Sequence, residues 1–463
     1  MSKCPKCGGE LNFSVESQSV VCPFCRNMFN PKELNIKAKV ASERKKIEIE
    51  PDGNHFEGKS YNCSQCGATL LTFDETAITF CSYCGSQSMI ESKMIVQNNP
   101  DFIIPFKMTR EECINNYKKL LKKAHFIPKY MQDDLVVDKF RGIFMPYCIY
   151  KTTYKGELSN NGSKYSHRSG DYDIYDDYEI LADVDATYDG MSYDLLSKFY
   201  DCYSNAIPFD FNKKEDFNTN FLIGFYADTM DVDKTIYDKI AENISSNDSK
   251  RFLYARKEYR KYGCKNPMIR LSVSDRKIGM FPVYFLAIRT KDNKHVHYAV
   301  INGQTGKIAA DLPIDFKKYI ILTLILSVII FLLINMYLYL LPNIVLWLSL
   351  LASIVSLVVS RVQAKKINNK ENKLDDMGYK YVNKNVEKNK LSIKYSIKQF
   401  ISLLICAFIL IINPYNDEYY YIGSIVTLGL IILSFYDLVK EHNDLTSNKL
   451  PQLEKRGGDE REK

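Results

Sequence analysis

Eight of the chain's 13 cysteines stand in pairs two residues apart: Cys4 and Cys7, Cys22 and Cys25, Cys63 and Cys66, Cys81 and Cys84. They form two copies of one pattern, with 14 residues between the pairs of each copy and the second copy starting 59 residues after the first. A two-residue gap lets both sulfurs of one knuckle reach a single ion, and the spacer is long enough for a short β-hairpin that brings the second knuckle opposite. Four thiolates in tetrahedral reach favour Zn2+, with iron in a rubredoxin-like site as the alternative. A segment of about 30 residues cannot fold on buried, unliganded cysteine. Four protein ligands leave no open coordination position, so two structural zinc ions are expected rather than a catalytic one.

The spacers carry the residues such a scaffold needs. Leu11 to Val15 and Ser19 to Val21 flank polar Glu16 to Gln18, and Thr69 to Phe73 and Ala77 to Phe80 flank Asp74-Glu75-Thr76, so each copy predicts a hairpin. Gly8, Gly67 and Gly85 directly follow a knuckle and permit the tight turn that aims amide N–H groups at the thiolates, whereas Arg26 takes that place in the remaining one.

The chain's 62 Lys/Arg and 55 Asp/Glu give a net charge of +7, most of it C-terminal: residues 1–100 carry 11 and 11, residues 101–316 carry 32 and 31, residues 317–463 carry 19 and 13. No apolar run follows Met1-Ser2-Lys3-Cys4, so no cleavable signal peptide is expected and the N-terminal region is expected in the reducing cytoplasm. Residues 60–90 contain no Lys or Arg, and a Zn(Cys)4 centre adds two negative charges, so that ribbon should repel phosphate. The first ribbon sets Lys3, Lys6 and Arg26 against Glu10 and Glu16 and has no basic stripe. Protein contact is the expected use of both, and nucleic acid is not expected.

The elements around the ribbons divide the chain. Ribbon 1 is expected over residues 1–30, a charged linker giving the ribbons independent reach over 31–58, ribbon 2 over 59–92, and an α+β domain with largely antiparallel sheet over 100–316. In that domain a helix is predicted from Thr109 to Ala124, opened by a Thr109/Glu112 capping box and burying Cys113. Strands are predicted at Ile143 to Tyr154, Tyr172 to Val184, Phe221 to Ala227, Met268 to Val273 and Phe281 to Ile288, and a helical pair from about Val232 to Tyr262, closed by Gly263. His295 to Ile301 and Lys307 to Ala310 predict a hairpin around Asn302 to Gly306.

No catalytic constellation emerges, and the chain is not expected to be an enzyme. Gly303 to Lys307 lacks the spacing and the following Ser/Thr of a phosphate loop. His295 and His297 read as an exposed hairpin edge, and the acidic stretch Asp171 to Asp189 as a solvated strand and loop. Lys250, Arg251, Arg256, Lys257, Arg260 and Lys261 read as a basic cluster on the second helix of the pair, either facing lipid headgroups or solvated.

The C-terminal third predicts a membrane region of two helical hairpins: 317–360, broken at Pro342-Asn343, and 400–439, broken at Asn413 to Glu418, joined by a loop over 361–399 with 11 Lys/Arg against four Asp/Glu. Neither outer turn contains Lys or Arg, so four spans with both termini cytoplasmic satisfy the positive-inside rule. The third span, Phe400 to Ile412, is short and needs extension to Leu391 with Lys394 and Lys398 snorkelling, or else is re-entrant. The clear spans read as free of ionisable groups, which argues against transport, and the tail over 440–463 as disordered.

These motifs resemble those of bacterial membrane proteins with TFIIB-type zinc ribbons, mainly from Gram-positive bacteria. The resemblance rests on the cysteine knuckles, Ile104-Pro105-Phe106-Lys107, Gly142 to Tyr147, Phe281-Pro282-Val283-Tyr284, and Ile301 to Lys307 before Leu312-Pro313-Ile314, and it spans residues 1 to about 340. Members often carry Trp where this chain has Tyr147 and Tyr284, and one membrane hairpin is expected of them, so the second hairpin is a departure. Such proteins are sometimes labelled primosomal helicases, an activity that the missing Walker motif argues against. The resemblance implies a membrane scaffold whose cytoplasmic ribbons recruit a protein partner, with membrane-stress machinery as one source. The alternatives are a membrane-tethered nucleic-acid-binding protein and electron transfer at iron sites.

Overall fold

The computed structural model describes every residue except 1–2, 35–54, 74–77, 79, 125, 138, 197–198, 200, 205, 291–294, 323–324, 326–328, 330–340, 375–387, 446–447 and 450–463. Strands β1 (Asn12–Ser14), β2 (Ser19–Val21) and β3 (Met28–Phe29) make a small antiparallel sheet. The other described strands all belong to one sheet. They are β4 (His55–Cys63), β5 (Thr69–Thr72), β6 (Met89–Asn98), β7 (Phe102–Ile103), β8 (Arg141–Ser169), β9 (Tyr172–Asp194), β10 (Glu215–Asp216), β11 (Tyr226–Asp228), β12 (Ser272–Arg289), β13 (His295–Asn302), β14 (Ile308–Ala310) and β15 (Asn448–Lys449). The central path runs β10-β7-β12-β8-β11-β5-β4-β6, with β9 on β8, β13 on β12, and β14 and β15 on β13. Two pairings, β11 with β8 and β12 with β7, are parallel and the rest antiparallel.

This topology corrects the domain reading. His55 to Gly58, assigned to the linker, begin β4, and β4, β5 and β6 continue the sheet of the α+β domain through β11. Ribbon 2 is therefore a corner of the main sheet and has no independent reach. The middle of the linker, 35–54, lies outside the described residues. The return strand predicted over Ala77 to Phe80 falls partly outside them too, and neither Ile78 nor Phe80 is in a strand. β5 pairs with β4 and β11 instead, because its apolar residues Leu70 and Leu71 are buried by the sheet on both sides.

Helix α1 (Arg110–Lys123) forms as predicted: Thr109 Oγ1 accepts from the Glu112 amide at 3.2 Å, the Thr109 amide donates to Glu112 Oε2 at 2.8 Å, and Cys113, Tyr117 and Leu121 are buried at helical spacing. Short helices α2 (Asp134–Val137) and α3 (Asp201–Ser204) flank the sheet. The segment Phe221 to Ala227 is a strand only from Tyr226, and Met268 to Leu271 precede β12 rather than forming it.

The family-like motifs converge on one ring. Phe106 stacks on Phe225 at 4.2 Å and meets Phe144 and Tyr284 edge-on at 4.9 Å each. The amides of Lys107 and Met108 both donate to Gly303 O at 2.8 Å. A Cβ at Gly303 would run into Phe106 and one at Gly142 into Phe225, so both positions need glycine for close approach.

Beyond Thr153, where β12 ends its pairing, β8 and β9 continue alone as a two-stranded arm turning at Gly170. Helices α4 (Asp238–Ala255) and α5 (Lys257–Lys261) cover one face of it, burying Leu158, Leu253, Tyr259, Cys264, Ile269 and Leu271. The six basic residues thus straddle α4, the joint and α5 rather than one helix. Gly263 closes the pair with φ +71°, and its backbone lies against the carbonyl of Ser163.

The C-terminal third forms α6 (Pro342–Leu374), α7 (Lys388–Ile412) and α8 (Glu418–Leu445). Two helices, Pro342–Gln363 and Glu418–Lys440, are long and apolar enough to cross a membrane; Ile397–Ile412 is apolar but shorter. Most of the first predicted span lies outside the described residues, of which 316–322 are helical. Helix α7 does extend back past Leu391, but Lys398 pairs with Asp437 at 2.6 Å instead of snorkelling, and Asp437 itself corrects the reading that the spans lack ionisable groups. The start of the tail is ordered: α8 runs to Leu445, and β15 pairs with His295 and Val296.

Substituting Gly263→Ala forces a side chain into both a positive φ and a backbone contact, and is expected to loosen α4 and α5 from the arm by about 1–3 kcal/mol. Limited proteolysis should then cut within 238–262 faster while cleavage of the main sheet stays unchanged.

Candidate metal centres

Each knuckle is the same short device. The amide of the residue after the second cysteine donates to the first cysteine's carbonyl: Gly8 to Cys4, Arg26 to Cys22, Gly67 to Cys63 and Gly85 to Cys81, all at 2.8 Å. The first cysteine's amide then donates to the carbonyl five residues on: Cys4 to Gly9, Cys22 to Asn27, Cys63 to Ala68 and Cys81 to Ser86, at 2.7–3.0 Å. The turn needs a left-handed residue, supplied by Gly8, Gly67 and Gly85 at φ +65° to +72° and by Arg26 at +57°. A side chain there costs about 1–2 kcal/mol, which is small beside the roughly 10 kcal/mol or more that a structural metal contributes.

The knuckles bring together all eight predicted ligands in two groups, Cys4/Cys7/Cys22/Cys25 and Cys63/Cys66/Cys81/Cys84, with the four sulfurs of each within 4.8 Å of one another. Across each group the sulfurs stand 3.4–3.6 Å apart (Cys4 to Cys25, Cys7 to Cys22, Cys63 to Cys84, Cys66 to Cys81). A disulfide would need about 2.05 Å, whereas a tetrahedron of sulfurs around an ion at about 2.3 Å has edges of about 3.8 Å. Both groups therefore fit a metal ion bound by four thiolates. Asn27 sets the electronics of the first: its side-chain amide, 3.1 Å from Cys25 Sγ, and its backbone N–H hold the Cys25 thiol down to about 6. In the second, the neighbouring Cys66, Cys81 and Cys84 hold the Cys63 thiol low, and Cys63 in return pushes Cys66 and Cys81 up. Without a cation only part of such a group ionises; a divalent ion inverts that preference.

The two sites sit in different surroundings. Site 1 is half open: Cys4 and Cys22 are buried, Cys25 partly, and Cys7 exposed. Its sheet docks on the main body through Phe13, whose ring meets Phe221 at 5.4 Å and whose amide donates to Ile223 O, and through Gln18, which donates to Phe106 O at 2.7 Å. Asn220 donates to Pro31 O at 2.8 Å and Leu34 O at 2.9 Å just beyond the ribbon. Site 2 is fully buried, and its first knuckle is itself the turn joining β4 to β5.

Sequence reasoning missed what surrounds site 2. Arg289, at the end of β12, donates from Nε to Cys84 O at 2.5 Å and from Nη2 to Gln65 Oε1 at 2.6 Å, gripping both knuckles. It supplies the positive charge that residues 60–90 lack. Tyr83, inside the second knuckle, is buried against Phe285 and donates its hydroxyl to Asp228 on β11. No local signal ties Arg289 or Asp228 to the cysteines, since both lie more than a hundred residues away. His297, read as an exposed edge, is instead buried between paired strands with Nε2 3.0 Å from the Tyr130 hydroxyl. Cys113 is a core residue whose thiol burial pushes up to about 12, away from reactivity.

No protein-family model and no solved structure matches the chain, so the likeness to TFIIB-type membrane proteins rests on the motifs themselves. The chain is similar to the uncharacterized protein YdjG of Bacillus subtilis (strain 168), at 25% identity over 322 residues that cover 68% of this chain and 90% of YdjG.

The unequal burial predicts unequal metal release. A chelator is expected to strip site 1 first and site 2 only on unfolding, giving two phases in metal-release kinetics. Cys4→Ser should lose one metal and leave the main sheet intact, whereas Cys63→Ser should also expose β4, β5 and β6 to hydrogen exchange. Arg289→Ala should accelerate the slow phase alone. A single release phase would contradict this assignment.

Proposed function

We propose that the chain is a membrane-anchored adaptor in which both Cys4 groups hold structural zinc and ribbon 1 recruits a cytoplasmic protein partner. The observation that carries this reading is the divergence of one repeat position. Phe24 in the second knuckle of ribbon 1 is 74% exposed, while Tyr83 in the same place of ribbon 2 is 1% exposed. Ribbon 2 spends that side chain on its own core. Ribbon 1 leaves it exposed, as it does Met28 four residues on at 66%, and carries Lys3, Lys6 and Arg26 in or next to its knuckles. An exposed aromatic on a metal-stiffened turn is the kind of anchor that dominates protein interfaces, because it loses little conformational freedom on binding.

The membrane part of the reading is supported by the inside-out character of α6, α7 and α8. Only 22% of each long apolar window is buried, which a core helix of a soluble protein would not show. Trp347, Leu351, Val358, Phe408, Ile425 and Ile432 face outward, while Ser353, Ser360, Gln399, Ser402, Thr427 and Ser434 are buried between the helices. Apolar groups outside and hydrogen-bonding groups inside is the arrangement expected in lipid. Four spans with both termini cytoplasmic remain the topology that the basic loops favour.

Affinity purification from detergent-solubilised membranes tests the proposal. Phe24→Ala/Met28→Ala is expected to lose a specific protein partner at unchanged zinc content, whereas Tyr83→Phe keeps it. Retention of every partner by the double variant, or recovery of nucleic acid alone in a salt-dependent manner, would sink the adaptor reading.

A further inference from the structure

The β8–β9 arm carries opposite charge on its two sides. Alternation along β9 points Tyr178, Ile180, Val184, Ala186 and Tyr188 toward α4 and α5, and leaves Glu179, Asp183, Asp185 and Asp189 on the bare face with Glu157 of β8. Glu157 and Asp183 stand directly opposite each other across the strands, a like-charge pair that is unfavourable unless a cation approaches. Lys155, 3.7 Å from Asp185, and Lys151, directly opposite Asp189, offset part of that charge, and Leu181 sits 59% exposed in the middle of the face.

The other side of the arm presents Arg251, Arg256, Lys257, Arg260 and Lys261, all exposed on or between α4 and α5. Among the described residues none of these five is in an ion pair. Arg256 and Arg260 lie over the rings of Phe252 and Tyr254 instead, and those rings are 62% and 47% exposed. Each face therefore combines exposed apolar side chains with a net charge of one sign, acidic on the strands despite Lys151 and Lys155 and basic on the helices despite Glu258, and the two signs are complementary.

We infer that copies of this chain associate front to back through their arms, the acidic strand face of one seated on the basic α4–α5 face of the next. The occupant of each face is a second copy, since that same chain carries the matching charge. Such a contact is heterologous and does not close by two-fold symmetry, so it propagates into a row of chains. Spread along a bilayer, a row would present many ribbons to one partner.

Charge reversal with reciprocal rescue tests this on the full-length, detergent-solubilised chain by sedimentation velocity. The wild type is expected to self-associate at low salt and to dissociate as salt rises. Asp183→Lys/Asp185→Lys and Arg256→Glu/Arg260→Glu should each weaken association by roughly tenfold or more, since like charges then face each other. Mixing the two variants should restore it, because the reversed front of one matches the reversed back of the other and their native faces match as well. A variant that merely misfolds would not be rescued by mixing. A wild type that stays monomeric at low salt, variants that associate like the wild type, or a mixture that stays dissociated would each overturn the inference.

Discussion

Four sulfurs buried within a few ångströms of one another cannot all ionise unless a cation sits among them, and at site 2 that condition governs the main sheet. Cys63 ends β4, the knuckle after it turns the chain into β5, and Met89 pairs back to Cys63 at the start of β6. An ion held by these cysteines would tie together the register of three strands. Through β11 the same strands meet β8, and through β8 they meet β12, so the sheet is continuous from the metal to the arm. Arg289 closes the loop: a strand begun far away returns its guanidinium to the carbonyl beside a ligand. A thiolate cluster with two excess negative charges gains from that placement, since a cation held by the fold acts at low dielectric and needs no reorganisation.

The two ribbons show how one device yields two outcomes. Their knuckles agree hydrogen bond for hydrogen bond, the same backbone that four thiolates converging on one ion require. What differs is the neighbour. Asp228 and Phe285 wait beside Tyr83, which becomes a pillar between knuckle and sheet. Ribbon 1 meets the body through its β-hairpin instead, by Phe13 and Gln18, and its second knuckle is left facing outward. Arg26 in a left-handed conformation is tolerable there because an exposed turn lets its long side chain reach water.

Local patterns were legible in the sequence because they act within a few residues. The knuckle spacing, the Thr109/Glu112 box, the hairpin at Asn302 to Gly306 and the left-handed Gly263 are all decided by backbone geometry over one turn. Sheet membership is decided by partners that can lie more than a hundred residues apart, so nothing in Thr69 to Thr72 announced that β5 would take β11 rather than a return strand of its own ribbon. The same limit hid Arg289, the burial of His297 and the convergence of four motifs on Phe106. The pairing of Lys398 with Asp437 is a further case: Lys398 read as a snorkelling residue and the last span as free of charge until the packing of α7 on α8 set the two side by side.

The apolar helices are joined to the sheet by more than a tether. Asn443, near the end of α8, accepts from the Ile314 amide at 2.8 Å and donates to the Ile314 carbonyl at 2.9 Å, and Lys318 donates to Ile127 O at 2.6 Å. β15 then adds itself to β13. Chain entering and leaving the helical region is held at the same sheet edge, which leaves little freedom for the body to swing against the helices. If those helices lie in lipid, the orientation of the body at the bilayer is fixed by these bonds, and with it the direction in which Phe24 and the arm are held. An adaptor gains from such rigidity: a partner that meets a preset surface pays less in lost freedom than one that must order it.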